Sequence, residues 1–191
     1  MDGKIMRNFT IALVGLAFLC PVSVVALESD LFPELVYISA VREGDVKKVA
    51  SFLERGYDVN KVDGKGLIPL FYAARDGNVD MAETLLKYRA NINFKDSFGN
   101  TPLVWACERG HREVAEILIE AGSDIDIQNH NGFTPLMRAV EAGQREIVEF
   151  LIEKGVDLTL QDYTGGDVQS LADIGRNRYI QKIVKEALQG N

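Results

Sequence analysis

The sequence contains few of the residues that build catalytic and metal sites. Among its 191 residues are two histidines, two cysteines and one tryptophan. His111 and His130 lack converging partners at the spacing that a catalytic or metal-binding histidine needs. No phosphate-cradling glycine loop, paired zinc-binding motif or nucleophile elbow is present. We therefore expect a protein that is not an enzyme and that binds no metal, cofactor or small-molecule substrate.

The chain also has fewer basic than acidic residues. It carries 21 lysine and arginine residues against 28 aspartate and glutamate residues, a net charge of −7. Nucleic-acid affinity depends on counterion release by basic side chains, so this balance argues against a nucleic-acid partner. With 47% hydrophobic and 26% charged residues, the composition is that of an ordinary folded protein.

Charged residues are absent from one long stretch near the N-terminus, residues 9–27. Lys4 and Arg7 precede this apolar run, and small residues close it, as in a secretory signal. We predict a signal peptide over residues 1–26, and a mature chain of residues 27–191 that is periplasmic or secreted.

Two other interpretations of the N-terminus stay open. Residues 9–27 are close in length to the about 20 apolar residues that span a bilayer, so they could form an uncleaved anchor. Pro21 and Ser23 near the end of the run favour cleavage instead. A lipoprotein signal could use Cys20, but it needs a small residue before the cysteine, and Leu19 is large.

The rest of the chain repeats with a period of 33 residues. Glycines, prolines and polar residues each recur at this spacing. The three series are Gly44, Gly77, Gly110 and Gly143; Pro69, Pro102 and Pro135; and Asn60, Asn93, Asp126 and Thr159. Coincidence of three series at one period indicates tandem copies of a single structural unit.

Each unit begins with a pattern that predicts a short helix. Thr101-Pro102 and Thr134-Pro135 place a capping hydroxyl before a proline at the first helical position, where the missing N–H costs nothing. A second helix is predicted after the glycine that ends the first one, because apolar residues recur there at helical spacing.

Glycines also mark where the second helix ends. Gly56, Gly122 and Gly155 can adopt the left-handed conformation that closes a helix, and Arg89 takes this place in one unit. The link to the next unit, such as residues 129–132, has the turn chemistry of a tight β-hairpin.

These units resemble the ankyrin repeat, whose motif contains a Thr-Pro-Leu step between two glycines. The matching residues are Asp96, Gly99, Thr101, Pro102, Leu103, Ala106 and Gly110 in one unit; Gly132, Thr134, Pro135, Leu136, Ala139 and Gly143 in the next; and Gly66, Pro69, Leu70, Ala73, Ala74 and Gly77 in the unit before. Phe71, Val104 and Met137 replace the motif histidine, so apolar packing is expected to substitute for its hydrogen bonds.

The resemblance implies an all-α repeat solenoid over residues 27–191, a stack of ankyrin helix-turn-helix units with β-hairpin loops. We expect about five repeats, including degenerate end caps, because a terminal unit exposes a face that an internal unit buries. Lys48 in the first unit and Gln181 and Lys185 in the last are the polar residues that indicate the caps. Cys107 falls at a buried position and is expected to be a packed thiol.

The resemblance also implies that a protein partner binds the concave face, which hairpin tips and first helices form in the family. The residues expected to bind it are Lys65, Leu67, Tyr72, Arg75, Phe98, Asn100, Trp105, Arg109, His130, Phe133, Arg138 and Glu141. Aromatic and arginine side chains dominate binding energy at interfaces. Tyr72 and Trp105 suit packing positions equally well, and Phe98 and Phe133 could instead cap a neighbouring unit.

We therefore expect a monomeric, non-enzymatic protein-binding module that resembles the exported bacterial ankyrin proteins. Members of that type have been linked to oxidative-stress defence beside catalase and to the neutralisation of toxins, and such a face suits either role. Two other roles stay open. The chain could be a structural scaffold that residues 9–27 anchor in a membrane, or an effector protein secreted into a host cell.

Overall fold

The computed structural model describes residues 33–175 and 177–190, which form ten helices in five consecutive pairs. The helices are α1 (Pro33–Glu43), α2 (Val46–Glu54), α3 (Pro69–Asp76), α4 (Val79–Lys87), α5 (Pro102–Arg109), α6 (Arg112–Glu120), α7 (Pro135–Ala142), α8 (Arg145–Glu153), α9 (Val168–Ile174) and α10 (Arg178–Gly190). A tight turn joins the two helices of each pair, and a longer loop leads to the next pair.

The five pairs stack in single file. First helices pack on first helices, α1 on α3, α3 on α5, α5 on α7 and α7 on α9. Second helices pack on second helices in the same order, from α2 to α10. Each unit thus packs against its immediate neighbours, which is the arrangement of a repeat solenoid. The predicted all-α solenoid of about five units is confirmed.

All the predictions for the N-terminus, including the lipoprotein signal at Cys20, concern residues outside this structure. Both the signal peptide, residues 1–26, and the alternative anchor, residues 9–27, fall within residues 1–32, which the structure does not describe. In the part of the chain that it does describe, no helix is both long enough and apolar enough to cross a membrane.

Proline starts the three internal first helices, while the expected threonine cap forms in one of them. Each of α3, α5 and α7 has proline in its first turn, where the fixed φ suits a helix. Thr134 Oγ1 accepts a hydrogen bond of 3.2 Å from the amide of Met137. The hydroxyl of Thr101 is buried without a partner among the described residues, so the capping prediction is wrong there. Ile68 begins the equivalent helix with no hydroxyl, so this start does not depend on the cap.

Apolar side chains fill the position of the motif histidine. Phe71, Val104 and Met137 are at most 2% exposed and pack in the interior of the stack. The expected apolar substitution is therefore confirmed. Cys107 is also fully buried, and burial raises the pKa of its thiol, so it is a packed rather than a reactive cysteine.

The loops between units are closed like hairpins but do not form paired strands. The amide of Asp96 donates to the carbonyl of Asn100, and the loops that follow repeat this bond. The described residues form no β-strand, and their one isolated β-bridge joins Gln161 to Asp167. The prediction of hairpin loops is correct for the turn, but one closing bond is too little to define a strand on either arm.

The polar series of the 33-residue period links each loop to the next. Asn60 Oδ1 accepts a hydrogen bond of 2.7 Å from the amide of Asn91, and Asp126 Oδ1 accepts one of 3.0 Å from the amide of Asp157. Asn93 makes the middle link at 3.5 Å. These residues recur because each of them satisfies a backbone amide of the following unit.

The terminal units are polar on their outer sides, as predicted for end caps. Lys185 on α10 is exposed, and Lys48 on α2 is partly exposed. Gln181 Nε2 donates to the carbonyl of Gly175 at 2.8 Å, so this side chain closes the last pair instead of contacting a further unit.

One second helix ends without the expected glycine. Arg89, which follows α4, has φ of 65°, in the left-handed region. Gly56, Gly122 and Gly155 hold the equivalent places with φ of 86°, 96° and 79°. A side chain in this region costs about 1–2 kcal/mol. The Arg89 side chain is exposed and forms no hydrogen bond or ion pair within residues 33–175 and 177–190, so none of these contacts offsets the strain.

Replacing Arg89 by glycine is expected to stabilise the protein. Arg89→Gly removes the left-handed strain but makes the unfolded chain more flexible, so the free energy of unfolding should rise by about 0.5–1 kcal/mol. Urea unfolding followed by circular dichroism measures this difference. Gly155→Arg is the matched reverse change and should lower the free energy of unfolding. Equal stability of Arg89→Gly and the wild type would contradict the strain.

Candidate functional site

The hairpin tips and the neighbouring residues of the first helices lie on the same side of the stack. We call this side the front face. The predicted binding residues fall into three groups by exposure. Exposed are Lys65, Phe98, Arg109, His130 and Glu141; partly exposed are Leu67, Arg75, Trp105, Phe133 and Arg138; buried are Tyr72 and Asn100. Exposure therefore separates side chains that can contact a partner directly from those that build the face.

Tyr72 lies beneath the exposed surface of the front face. Its side chain is 3% exposed, and its hydroxyl donates to Oδ2 of Asp63 in the first hairpin, residues 60–67. The same carboxylate accepts a hydrogen bond of 2.6 Å from Arg42 of α1. The interpretation of Tyr72 as a contact residue is thus corrected, because its ring and hydroxyl are used to tie α1, α3 and the hairpin together.

Asp63 is ionised at the centre of this network. Its side chain is 1% exposed, and burial alone opposes ionisation. The hydrogen bonds from Tyr72, Arg42 and the amides of Leu67 and Lys65 outweigh burial and lower the pKa of Asp63 to about 2.

Trp105 repeats the arrangement one unit later. Its indole Nε1 donates to Oδ2 of Asp96 at 2.9 Å. Asp96 precedes Trp105 by the same interval as Asp63 precedes Tyr72, so the period places an acid and an aromatic residue in register. Trp105 is partly exposed, so one surface of the ring packs against the stack while another faces outward.

Asn100 joins two hairpins and is not an exposed contact residue. It is 7% exposed, and its Oδ1 accepts a hydrogen bond of 2.8 Å from Nδ2 of Asn129 in the next hairpin. Its amide donates to Asp96 Oδ1 at 2.9 Å. The prediction that Asn100 binds a partner is corrected, since its polar atoms are used within the stack.

Arginine side chains cover the aromatic rings of the front face. The guanidinium of Arg75 lies 4.9 Å from the ring centroid of Tyr72. Arg109 lies 5.7 Å from the ring of Trp105, and Arg138 lies 5.7 Å from that of Phe133. These distances are within the range of cation–π attraction. Within the described residues Arg109 forms no ion pair or hydrogen bond, so no carboxylate neutralises its charge.

Arg138 also bridges two carboxylates. Its Nη2 lies 2.7 Å from Oε2 of Glu108 on α5, and its Nη1 lies 2.5 Å from Oε2 of Glu141 on α7. Because one cation faces two anions, this end of the front face carries an excess of negative charge. Glu141 is the more exposed of the two carboxylates.

A small cavity opens between α3, α5 and the first hairpin. Its volume is about 20 Å³, and it is lined by Leu67, Phe71, Tyr72, Arg75 and Trp105. This volume holds about one water molecule, so the cavity is too small for a cofactor.

The two histidines have structural contacts. His111 Nε2 lies 2.9 Å from the carbonyl of Arg75, and its ring packs on Gly77 of the preceding unit. His130 stands at a hairpin tip, where its ring packs on Gly99. Within the described ranges, no three or more histidine, cysteine, aspartate or glutamate side chains are placed to hold one metal ion.

The residues that fix the position of the front-face side chains were not predicted from the sequence. Arg42 and Asp63 were not predicted as part of this face, although Asp63, Asp96 and Asp162 share one phase of the repeat. An acid that recurs nine residues before an aromatic residue is a visible signal in two units, but which hydrogen bond it makes depends on the neighbouring unit.

Comparison with known families gives one match. A family model described as ankyrin repeats, in three copies, matches residues 37–129 and 91–162. Together these ranges cover more than half of the chain and four of the five helix pairs. Comparison with curated proteins gives no match.

The Asp63 network predicts a pH dependence of stability. Because the pKa of Asp63 is lowered from 3.8 to about 2 on folding, its ionised form contributes about 2 kcal/mol above pH 4, and this contribution is lost as the pH falls towards 2. Asp63→Asn should therefore be less stable than the wild type by about 2 kcal/mol near pH 6, and the difference should shrink between about pH 4 and pH 2. Urea unfolding across this range tests it.

Tyr72→Phe is the matched variant for this experiment. It keeps the ring but removes one hydrogen bond to Asp63, so its stability should depend on pH less than that of the wild type and more than that of Asp63→Asn. If all three proteins lose stability in parallel as the pH falls, the acid sensitivity does not arise at Asp63.

Proposed function

The chain belongs to the ankyrin-repeat family, whose repeats are protein–protein interaction modules and generally non-enzymatic, and we propose that it binds one protein partner through its front face. The front face corresponds to the concave face of the family. The partner is a protein and not a nucleic acid, because the chain carries a net charge of −7.

The observation that carries the proposal is a set of rings and guanidinium groups that the fold holds in place. Asp96 fixes the indole of Trp105, and Arg109 lies over that ring with no competing ion pair in the described chain. Phe98 at the adjoining hairpin tip is 68% exposed. Tryptophan, tyrosine and arginine contribute most to binding at interfaces, and groups that are already ordered lose little entropy when they bind.

We place this activity outside the cytoplasm, in the envelope of a bacterium or beyond it. The proposal rests on the apolar run of residues 9–27, on the basic residues before it and on the small residues that close it. A monomeric binding module of this kind suits a role in stress defence or in neutralising a toxin. The same apolar run also favours a second candidate, a scaffold that remains anchored in a membrane, and delivery to a host cell is a third.

Loss of the front-face side chains is expected to weaken partner capture. The mature chain, residues 27–191, should retain one stoichiometric protein from the producer's envelope fraction. The triple variant Phe98→Ala, Arg109→Ala and Phe133→Ala should reduce the affinity at least about 30-fold, because such residues contribute 2 kcal/mol or more each when they are hot spots.

A control triple variant on the second helices keeps the experiment specific. Asp80→Ala, Glu113→Ala and Glu146→Ala change exposed side chains of α4, α6 and α8. This variant should capture the partner as the wild type does. Equal capture by the front-face variant and the wild type, with both folded by circular dichroism, would show that the front face is not the binding site.

Cell fractionation tests the proposed location. We expect a soluble exported protein whose N-terminal residue is Leu27, identified by N-terminal sequencing and intact mass. A membrane-bound chain with the full mass of 21.2 kDa would replace this proposal with the anchored scaffold. Recovery of the chain mainly in the medium or in host cells would favour secretion to a target outside the producer.

A further inference from the structure

The first two hairpins are joined less tightly than the others. We number the hairpins by their residues: hairpin 1 is 60–67, hairpin 2 is 93–100, hairpin 3 is 126–133 and hairpin 4 is 159–166. At the tips, the amide of His130 donates to the carbonyl of Phe98 at 3.0 Å, which joins hairpins 2 and 3.

The tip bond recurs at the next junction and is missing at the first. The amide of Tyr163 donates to the carbonyl of Asn131 at 3.1 Å, which joins hairpins 3 and 4. By the period, Ser97 should donate to the carbonyl of Lys65. No such bond forms between these two described residues.

A second set of links shows the same difference. Lys95 Nζ donates to the carbonyl of Gln128 at 3.2 Å, and Gln128 Nε2 donates to the carbonyl of Gln161 at 2.8 Å. Val62 occupies the equivalent place in hairpin 1 and has no group that can donate. Hairpin 1 is thus without both kinds of bond that join the later hairpins.

The packing of rings on glycines gives a third observation. An added Cβ on Gly99 would lie 2.6 Å from the ring of His130, and one on Gly132 would lie 2.8 Å from the ring of Tyr163. Gly66 is the equivalent glycine of hairpin 1, and an added Cβ there would have no atom within 4 Å.

These observations define a notch between hairpins 1 and 2, bounded by Lys65, Gly66, Ser97 and Phe98. It forms because residue 97 is serine, which is too small to cover the glycine as the rings of hairpins 3 and 4 do. Asn60 of hairpin 1 still accepts the bond of 2.7 Å from the amide of Asn91, two residues before hairpin 2.

We propose that this notch binds an aromatic side chain of the protein partner, with an acidic residue beside it. The proposal rests on the proposed function and names the chemistry of the partner. The chain itself places a ring on the equivalent glycine at two junctions, so the peptide surface of Gly66 suits a ring of the same kind. Phe98 borders the notch and is 68% exposed, which gives the ring an apolar neighbour.

The polar groups around the notch select the rest of the partner segment. Among the described residues, the carbonyl of Lys65 and the amide of Ser97 form no hydrogen bond, so both are available to the backbone of an extended segment. The Lys65 side chain is exposed and has no described ion pair, so its ammonium group can bind a carboxylate that flanks the ring.

Peptide titration of the mature chain tests the notch directly. The probes are the amidated and acetylated pentapeptides Gly-Glu-Trp-Glu-Gly, Gly-Glu-Ala-Glu-Gly and Gly-Lys-Trp-Lys-Gly, added to isotope-labelled protein and followed by nuclear magnetic resonance. The first peptide should shift the amide signals of Gly66, Ser97 and Phe98 in a saturable manner. The alanine and lysine peptides should bind at least about fivefold more weakly.

Two variants fill the notch from within the chain. Ser97→His and Ser97→Tyr place on Gly66 the rings that hairpins 3 and 4 carry, so both should weaken the tryptophan peptide at least about fivefold without loss of helical signal. Gln161→His adds the same ring on hairpin 4 and should bind as the wild type does. Unchanged binding by the folded Ser97 variants, or signals that shift elsewhere instead, would overturn the proposal.

Comparing partner capture by these variants distinguishes the notch proposal from the proposed function. A partner that is lost with Ser97→His and retained with Gln161→His supports the notch. A partner that is retained with Ser97→His but lost with the front-face triple variant leaves the front face as the binding site and removes the notch from it. Capture that is equal for all variants contradicts both.

Discussion

In each hairpin, one polar side chain fixes the backbone conformation of the loop. Asp63, Asp96, Asn129 and Asp162 each accept hydrogen bonds from the amides two and four residues further along. The loop is closed by this side chain, and not by the residues at its tip. The tips can therefore carry lysine, phenylalanine, asparagine or threonine on the same backbone, and recognition can vary while the fold stays constant.

The sequence was sufficient for the fold because each structural need recurs at one phase of the repeat. The proline, glycine and polar series each correspond to a helix start, a left-handed turn or a link between units, and even Arg89 adopts the backbone of the glycines that it replaces. The front face was less predictable. Whether the side chain of Tyr72 or Trp105 faces outward depends on an aspartate nine residues earlier, and for Tyr72 also on Arg42 in another unit. A periodic pattern does not show where a side chain points or which residue it contacts.

Charge is distributed unevenly between the two sides of the stack. Exposed acids recur on the second helices at Asp80, Glu113 and Glu146. On the front face, Arg75 and Arg138 are paired with carboxylates, while Arg109 and Lys65 have no such pair in the described chain. Around these two cations the potential is more positive than the net charge of −7 suggests, although that net charge still opposes a long polyanion such as a nucleic acid.

Because the units are stacked in single file, neighbouring hairpins move relative to one another most easily where the fewest contacts join them. The later hairpins are coupled by tip, base and ring contacts, whereas hairpin 1 keeps the bond of 2.7 Å between Asn60 and the amide of Asn91, which precedes hairpin 2. Within the hairpin layer, relative displacement is therefore least restrained between hairpins 1 and 2. Contacts from a bound segment that reached both hairpins would supply restraints that the chain itself lacks there, and so would order the two hairpins relative to each other.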